Sequence, residues 1–178
     1  GFVSSASPGV VLDLGCNTGY YSVLALASGA DVAVGFDFDQ GALELAYSRA
    51  LDQSLDFLPL FSDAANPSPD QGWRQAERQG LSTRARGDAV LALALVHHMA
   101  IARNLPLGQV LEWITAMAPA GVIRTVPSLM RAERLPSAAP RSSITLAYST
   151  WLNPRPPYFL GIFMPKAPSR LPPARPSW

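Results

Sequence analysis

The sequence predicts a doubly wound α/β fold around a parallel sheet, and three observations carry that prediction. Short β-rich runs alternate with stretches of helical periodicity through residues 1–125. The first run ends in Gly15 and leads into a helix closed by Gly29, as a strand–turn–helix unit does. The run AVLALALV after Asp88 is apolar without interruption, as a strand covered on both faces must be.

The elements follow in order. Val10–Leu14 (VVLDL) is the first strand, and Tyr20–Ser28 a compact apolar helix. Asp31–Phe36 (DVAVGF) is the second strand. A helix beginning near Gly41 places Leu43, Ala46, Tyr47, Ala50 and Leu51 on one face. Phe57–Phe61 is a third strand whose Pro59 suits an edge position. Residues 65–87 form a polar connection with a short helix around Trp73–Leu81. Ala89–Val96 is the fourth strand. Leu107, Val110, Leu111, Ile114 and Met117 then mark an amphipathic helix, and Gly121–Val126 the fifth strand.

Charge and proline divide the chain. Residues 1–125 carry seven arginines against twelve acids, whereas residues 126–178 carry six arginines and Lys166 against Glu133 alone. Eleven of the 17 prolines lie in those last 53 residues, where only Ser143–Ser149 and Tyr158–Met164 are strand-like. This divides the chain into an ordered domain over 1–126 and a basic, proline-rich tail over 127–178 with little regular structure. The first strand starts within ten residues of Gly1, so the sheet reads as truncated or atypical at both ends. The tail has the character of an out-of-frame reading or an unrelated fusion, an idea that two antiparallel strands docked beside the fifth would defeat.

Several classes are disfavoured. A net charge of +1 does not make a chain-wide nucleic-acid footprint, and the tail's arginines read as a solvated extension rather than a nucleic-acid contact, despite interleaved aromatics. No apolar run approaches a membrane span, and Gly1–Pro8 lacks the basic and apolar regions of a signal peptide, so the expected setting is cytoplasmic. Cys16 is the sole cysteine, and no ligand cluster for a metal is visible.

The stretch VLDLGCNTG, residues 11–19, is the most informative. Gly15 permits a sharp turn and a close ligand approach, and Gly19 removes a side chain where helix and strand pack. The helix start offers N–H groups suited to an anionic group. Asp37 lies 22 residues past Gly15 at the end of the second strand, where a carboxylate can accept both hydroxyls of a ribose. The loop reads G-x-x-x-G, not the dinucleotide fingerprint G-x-G-x-x-G, and it lacks the Lys-Ser/Thr of a P-loop. Asp13 beside the loop repels a pyrophosphate and attracts a sulfonium or an amine.

The pattern D-x-G-x-x-x-G at Asp13–Gly19, the Gly35-Phe36-Asp37-Phe38-Asp39 strand end and the Ser62-Asp63-Ala64 step resemble class I S-adenosylmethionine-dependent methyltransferases, which share a Rossmann-like sheet. ANPSP (65–69), GWRQAER (72–78) and LALALVHHMAI (91–101) resemble a bacterial branch that includes nodulation-type methyltransferases, the likeness covering about residues 10–123. The resemblance implies S-adenosyl-L-methionine as cofactor. Asp13, Gly15 and Gly19 would surround its methionine end, with Cys16 a small residue of the same turn and Asn17 where many relatives have glycine. Asp37 would hold the ribose, Phe38 would lie against the adenine, and Asp63, with Ala64 beside it, would accept from the adenine amino group.

His97 and His98, the only histidines, fall at the carboxyl end of the fourth strand, where open parallel sheets place ligands. Either could orient an acceptor or take its proton, so both are the catalytic candidates. Asp39 reads as a helix cap. Asn66-Pro67-Ser68-Pro69 follows the third strand, not the fourth, and reads as a rigid turn rather than a nitrogen-methylation motif. The expected activity is methyl transfer to an acceptor, small or macromolecular, that the sequence leaves open. The alternatives are an inactive cofactor-binding remnant and, less favoured, an NAD-dependent oxidoreductase.

Overall fold

The computed structural model describes residues 2–93, 95–125, 147–148 and 161–163 of the 178-residue chain. Its first strands are β1 (Val10–Leu14), β2 (Val32–Asp37), β3 (Phe57–Phe61), β4 (Ala89–Ala92) and β5 (Ala120–Thr125). They lie parallel in the order β3-β2-β1-β4-β5. The expected doubly wound, Rossmann-like architecture is thus observed. The strand order reverses between β1 and β4, which opens a crevice beyond the carboxyl ends of the strands.

The alternation of side chains along each strand sorts the core into two layers. Leu12, Leu14, Val90, Ala92 and Ile123 face one layer. Helix α6 (Leu107–Met117) covers it, burying Leu107, Val110, Leu111, Ile114 and Met117 as its periodicity predicts. Val11, Ala89, Leu91 and Val122 face the other way, against α1 (Phe2–Ala6) and α2 (Tyr20–Ala27). Helix α3 (Gln40–Asp52) closes that face, packing Ala46 and Ala50 on Ala33 and Phe57.

Four sequence expectations change. Tyr47 and Leu51 are exposed, because α3 rests on the sheet through Ala42, Ala46 and Ala50, whose small side chains permit a close approach. The Trp73–Leu81 helix is instead a short turn at Trp73–Gln75 and a separate α4 (Leu81–Arg84). The β4 run stops at Ala92. The chain turns into α5 (Leu95–His97) and a π-helical turn over His98–Ala102, so His97 and His98 are helical, not at a strand end. The short α1, burying Phe2 and Val3, is unanticipated.

Strand β3 forms the sheet edge as Pro59 suggests. Asp56 and Ser62 bond to β2 through Ala33 N–H and the Asp37 carbonyl. Strand alternation therefore turns Pro59, which has no N–H, away from β2. At the opposite side, β6 (Ala147–Tyr148) runs parallel to β5, and β7 (Gly161–Phe163) runs antiparallel to it. Both fall within the two stretches read as strand-like. Beyond them, the reading of residues 127–178 as a poorly structured tail lies outside the described residues. Among the described residues, no helix is long and apolar enough to cross a membrane.

Candidate functional site

A cavity of about 360 Å³ occupies the crevice at the reversal of strand order. It lies within the ~300–1,000 Å³ of small-molecule sites. The segments that follow successive strands contribute to it: Gly15 and Asn17 after β1, Asp37 and Phe38 at the end of β2, Asp63 and Ala64 after β3, and His98 from the π-helical turn beyond β4. These seven residues were all singled out in the sequence.

The loop after β1 is held by its own backbone. Gly15 and Cys16 both donate N–H to the Phe36 carbonyl, at 2.8 and 3.1 Å, and Gly19 donates to the Cys16 carbonyl at 2.9 Å. Asn17 N–H donates to Asp37 Oδ2 at 2.8 Å, and Thr18 N–H to the Asn17 side-chain oxygen at 2.8 Å. Gly15, Asn17 and Gly19 all have left-handed φ, at 78°, 50° and 77°. Asparagine tolerates that region better than most residues, which suits Asn17 to the middle of the turn. Every N–H from Gly15 to Gly19 is thereby satisfied within the protein. The loop itself therefore offers no ring of free donors to a pyrophosphate.

Asp13 does not line the cavity. It is 2% exposed and sits beneath the loop, where the Ser22 hydroxyl donates to Oδ2 at 2.7 Å and the Ser22 backbone also bonds to it. It therefore caps the start of α2 from inside. Burial pushes its carboxyl from 3.8 up to about 6, against the lowering effect of Ser22, and the nearby Asp37 charge adds to the rise.

Cys16 and Gly19 also point away from the cavity. The Cys16 side chain packs with Ala33, Ala46, Ala50 and Phe57. Burial pushes its thiol up to about 12, with the charges of Asp13 and Asp37 adding to the effect. Gly19 abuts the Phe57 ring, which a Cβ there would strike. Asp13, Cys16 and Gly19 thus shape the loop from below, and none of the three lines the cavity.

Two of the carboxylates on the cavity, Asp37 and Asp63, are fixed in orientation towards it. Asp37 Oδ1 accepts Asp39 N–H at 3.0 Å while Oδ2 holds Asn17. Asp63 Oδ1 accepts Ala65 N–H at 2.9 Å, and Oδ2 pairs with Arg103 at 3.2 Å. Each oxygen keeps a lone pair for a further donor. Asp39 caps α3 through the Ala42 N–H at 3.1 Å, as expected. Phe38 stands at the cavity, 63% exposed.

The histidines part company. His98 lines the cavity beside Leu95 and Met99, whereas His97 does not reach it. Their rings lie 4.1 Å apart. Partial burial, then the neighbouring His98 and Arg124, lower the His97 pKa and favour its neutral form. Leu81, Ala102, Arg103 and Trp113 complete one end of the cavity. Sequence reasoning missed them because they lie on elements whose register at the crevice no local pattern discloses.

No family model matches the chain. Over 126 residues it is 55% identical to the nodulation protein NoeA of Rhizobium meliloti (strain 1021), which spans 71% of this chain and 26% of that protein. The chain therefore spans about a quarter of the length of that curated relative. Among solved structures it is similar to WbdD at a TM-score of 0.61 with 17% identity, covering 88% of this chain and 35% of that one. A second structure, of the bifunctional kinase-methyltransferase WbdD, matches at 0.60 with 16% identity, covering 90% of this chain and 37% of that one.

Proposed function

We propose that this chain, Rossmann-like in fold like the methyltransferase structures it matches and closely similar to a quarter of nodulation protein NoeA, is the S-adenosylmethionine-binding part of a methyltransferase. One observation carries the reading: Asp37 and Asp63 stand pre-oriented at a strand-order reversal, above a loop whose N–H groups are all internally bonded. Such a site suits a ligand rich in donors and positive charge rather than a polyphosphate.

The residues fit that cofactor. Asp37, Asp39 and Asp63 outnumber Arg103 among the charged cavity residues, matching a sulfonium and an ammonium. Asp37 takes the ribose hydroxyls, Phe38 covers a face of the adenine, and Asp63 accepts its amino group. Gly15, at φ 78°, brings bare backbone to the methionine end. The cofactor, when bound, supplies an electrophilic methyl group on sulfur. His98, on the cavity, would take the proton of an acceptor O–H or N–H. His97, off the cavity, serves His98 by packing against its ring. Leu14, Leu95 and Met99 keep the reacting end apolar and exclude water, which favours alignment of donor and acceptor. The acceptor itself is left open, since its recognition belongs to parts of the protein beyond this cavity.

Calorimetric titration with S-adenosylhomocysteine, with Asp37→Ala as control, tests the reading. Micromolar binding that the substitution abolishes supports it. No binding by folded protein, or NAD binding in its place, overturns it. Binding without transfer to any acceptor favours a cofactor-holding remnant.

A further inference from the structure

Among the described residues there is one ion pair, between Arg103 Nη2 and Asp63 Oδ2 at 3.2 Å. Its two ends come from either side of the strand-order reversal. Asp63 follows the edge strand β3, Arg103 follows the π-helical turn after β4, and β2 and β1 lie between those strands. The pair therefore crosses the crevice. Both anchors are fixed by the main chain: Ala65 N–H holds the other Asp63 oxygen at 2.9 Å, and Arg103 N–H donates to the His98 carbonyl at 3.1 Å.

The side chains are 52% and 33% exposed, and an ion pair in that setting contributes little to folding. What it does accomplish is to hold a planar guanidinium on the wall of the cavity that Phe38 also lines. A guanidinium stacks on an aromatic face, which an ammonium on a flexible stem does much less well. We infer that Arg103 is a purine-binding residue: tethered by Asp63, its guanidinium lies against the adenine face opposite Phe38. This rests on the cofactor reading above and adds a contact to it. Asp63 then has two tasks, accepting the adenine amino group and steering Arg103.

The test is titration of the folded protein with S-adenosylhomocysteine and with adenosine alone, comparing wild type, Arg103→Ala and Arg103→Lys. The expected result is a loss of about 10-fold for both substitutions, equal for the two ligands because the missing contact is to the base. An unchanged thermal midpoint in the ligand-free variants accompanies it. Wild-type protein that binds neither ligand defeats the cofactor reading itself. If wild type binds, unaltered or tighter binding by Arg103→Ala overturns the inference. Full affinity in Arg103→Lys also overturns it, since charge alone would then suffice.

Discussion

The Asp37 carboxylate receives the Asn17 backbone N–H at 2.8 Å, tying the end of β2 to the loop that follows β1. Its other oxygen holds the Asp39 N–H, so one side chain fixes two turns before any ligand arrives. Asp37→Ala leaves both donors without that acceptor. The expected stability loss is about 1–2 kcal/mol, seen as a lower urea midpoint at unchanged slope. Asp37→Asn, which keeps one acceptor oxygen, should lose less. Equal stability of all three proteins would show that the tether contributes nothing.

Asp13 makes stability fall as pH rises. Its folded carboxyl titrates at about 6 against 3.8 when free, so the folded protein holds the proton through that interval and the unfolded chain does not. Below the lower value the penalty is absent. It grows through the interval and is complete above about pH 6, on the order of 3 kcal/mol. Asp13→Asn removes the titration and keeps an oxygen for the Ser22 hydroxyl. Its stability relative to wild type should therefore improve from pH 4 to pH 7, as followed by urea denaturation. A constant difference across that range would refute the assignment.

Cys16 should be inert while the protein is folded. Its thiol is buried and pushed up to about 12, so little thiolate exists at pH 8. An aromatic disulfide reagent should leave it unlabelled in buffer and modify one thiol per chain in denaturant. Prompt labelling of the native protein would contradict the burial.

Gly35 has no room for a methyl group. A Cβ there would lie 2.7 Å from Cys16 Sγ and 2.9 Å from Phe57 Cε2. Gly35→Ala should cost ~1–3 kcal/mol. Adding Cys16→Ala should return part of that loss, a coupling measurable in a double-mutant cycle. Strict additivity would mean the clash is relieved elsewhere.

What was legible in the sequence follows from periodicity and spacing. The central strands β1 and β4 were readable as apolar runs because both their faces are covered, and α6 because its buried positions recur at helical spacing. Asp37 was readable because its spacing fixes it at a strand end, and Asp63 through the family resemblance of the Ser62-Asp63-Ala64 step. The limit of β4 was not, since a buried strand and the helix that follows it are equally apolar from Ala89 to Val96. Nor was the inward turn of Asp13 and Cys16: spacing places a residue in a loop without saying which side of the loop its side chain takes. Arg103 escaped because its partner lies 40 residues away.

Pro59 has a consequence for how the molecule meets its own copies. Among the described residues the outer rim of β3 is unpaired, and it would present a ladder of donors at Phe57, residue 59 and Phe61, beside exposed Leu58 and Phe61. A sticky border of that kind invites another chain to add a strand. The imino acid deletes the middle rung, so an incoming strand finds its hydrogen-bond register interrupted halfway along a five-residue border. The residue that looked least compatible with a strand is thus a guard against fibrous self-association.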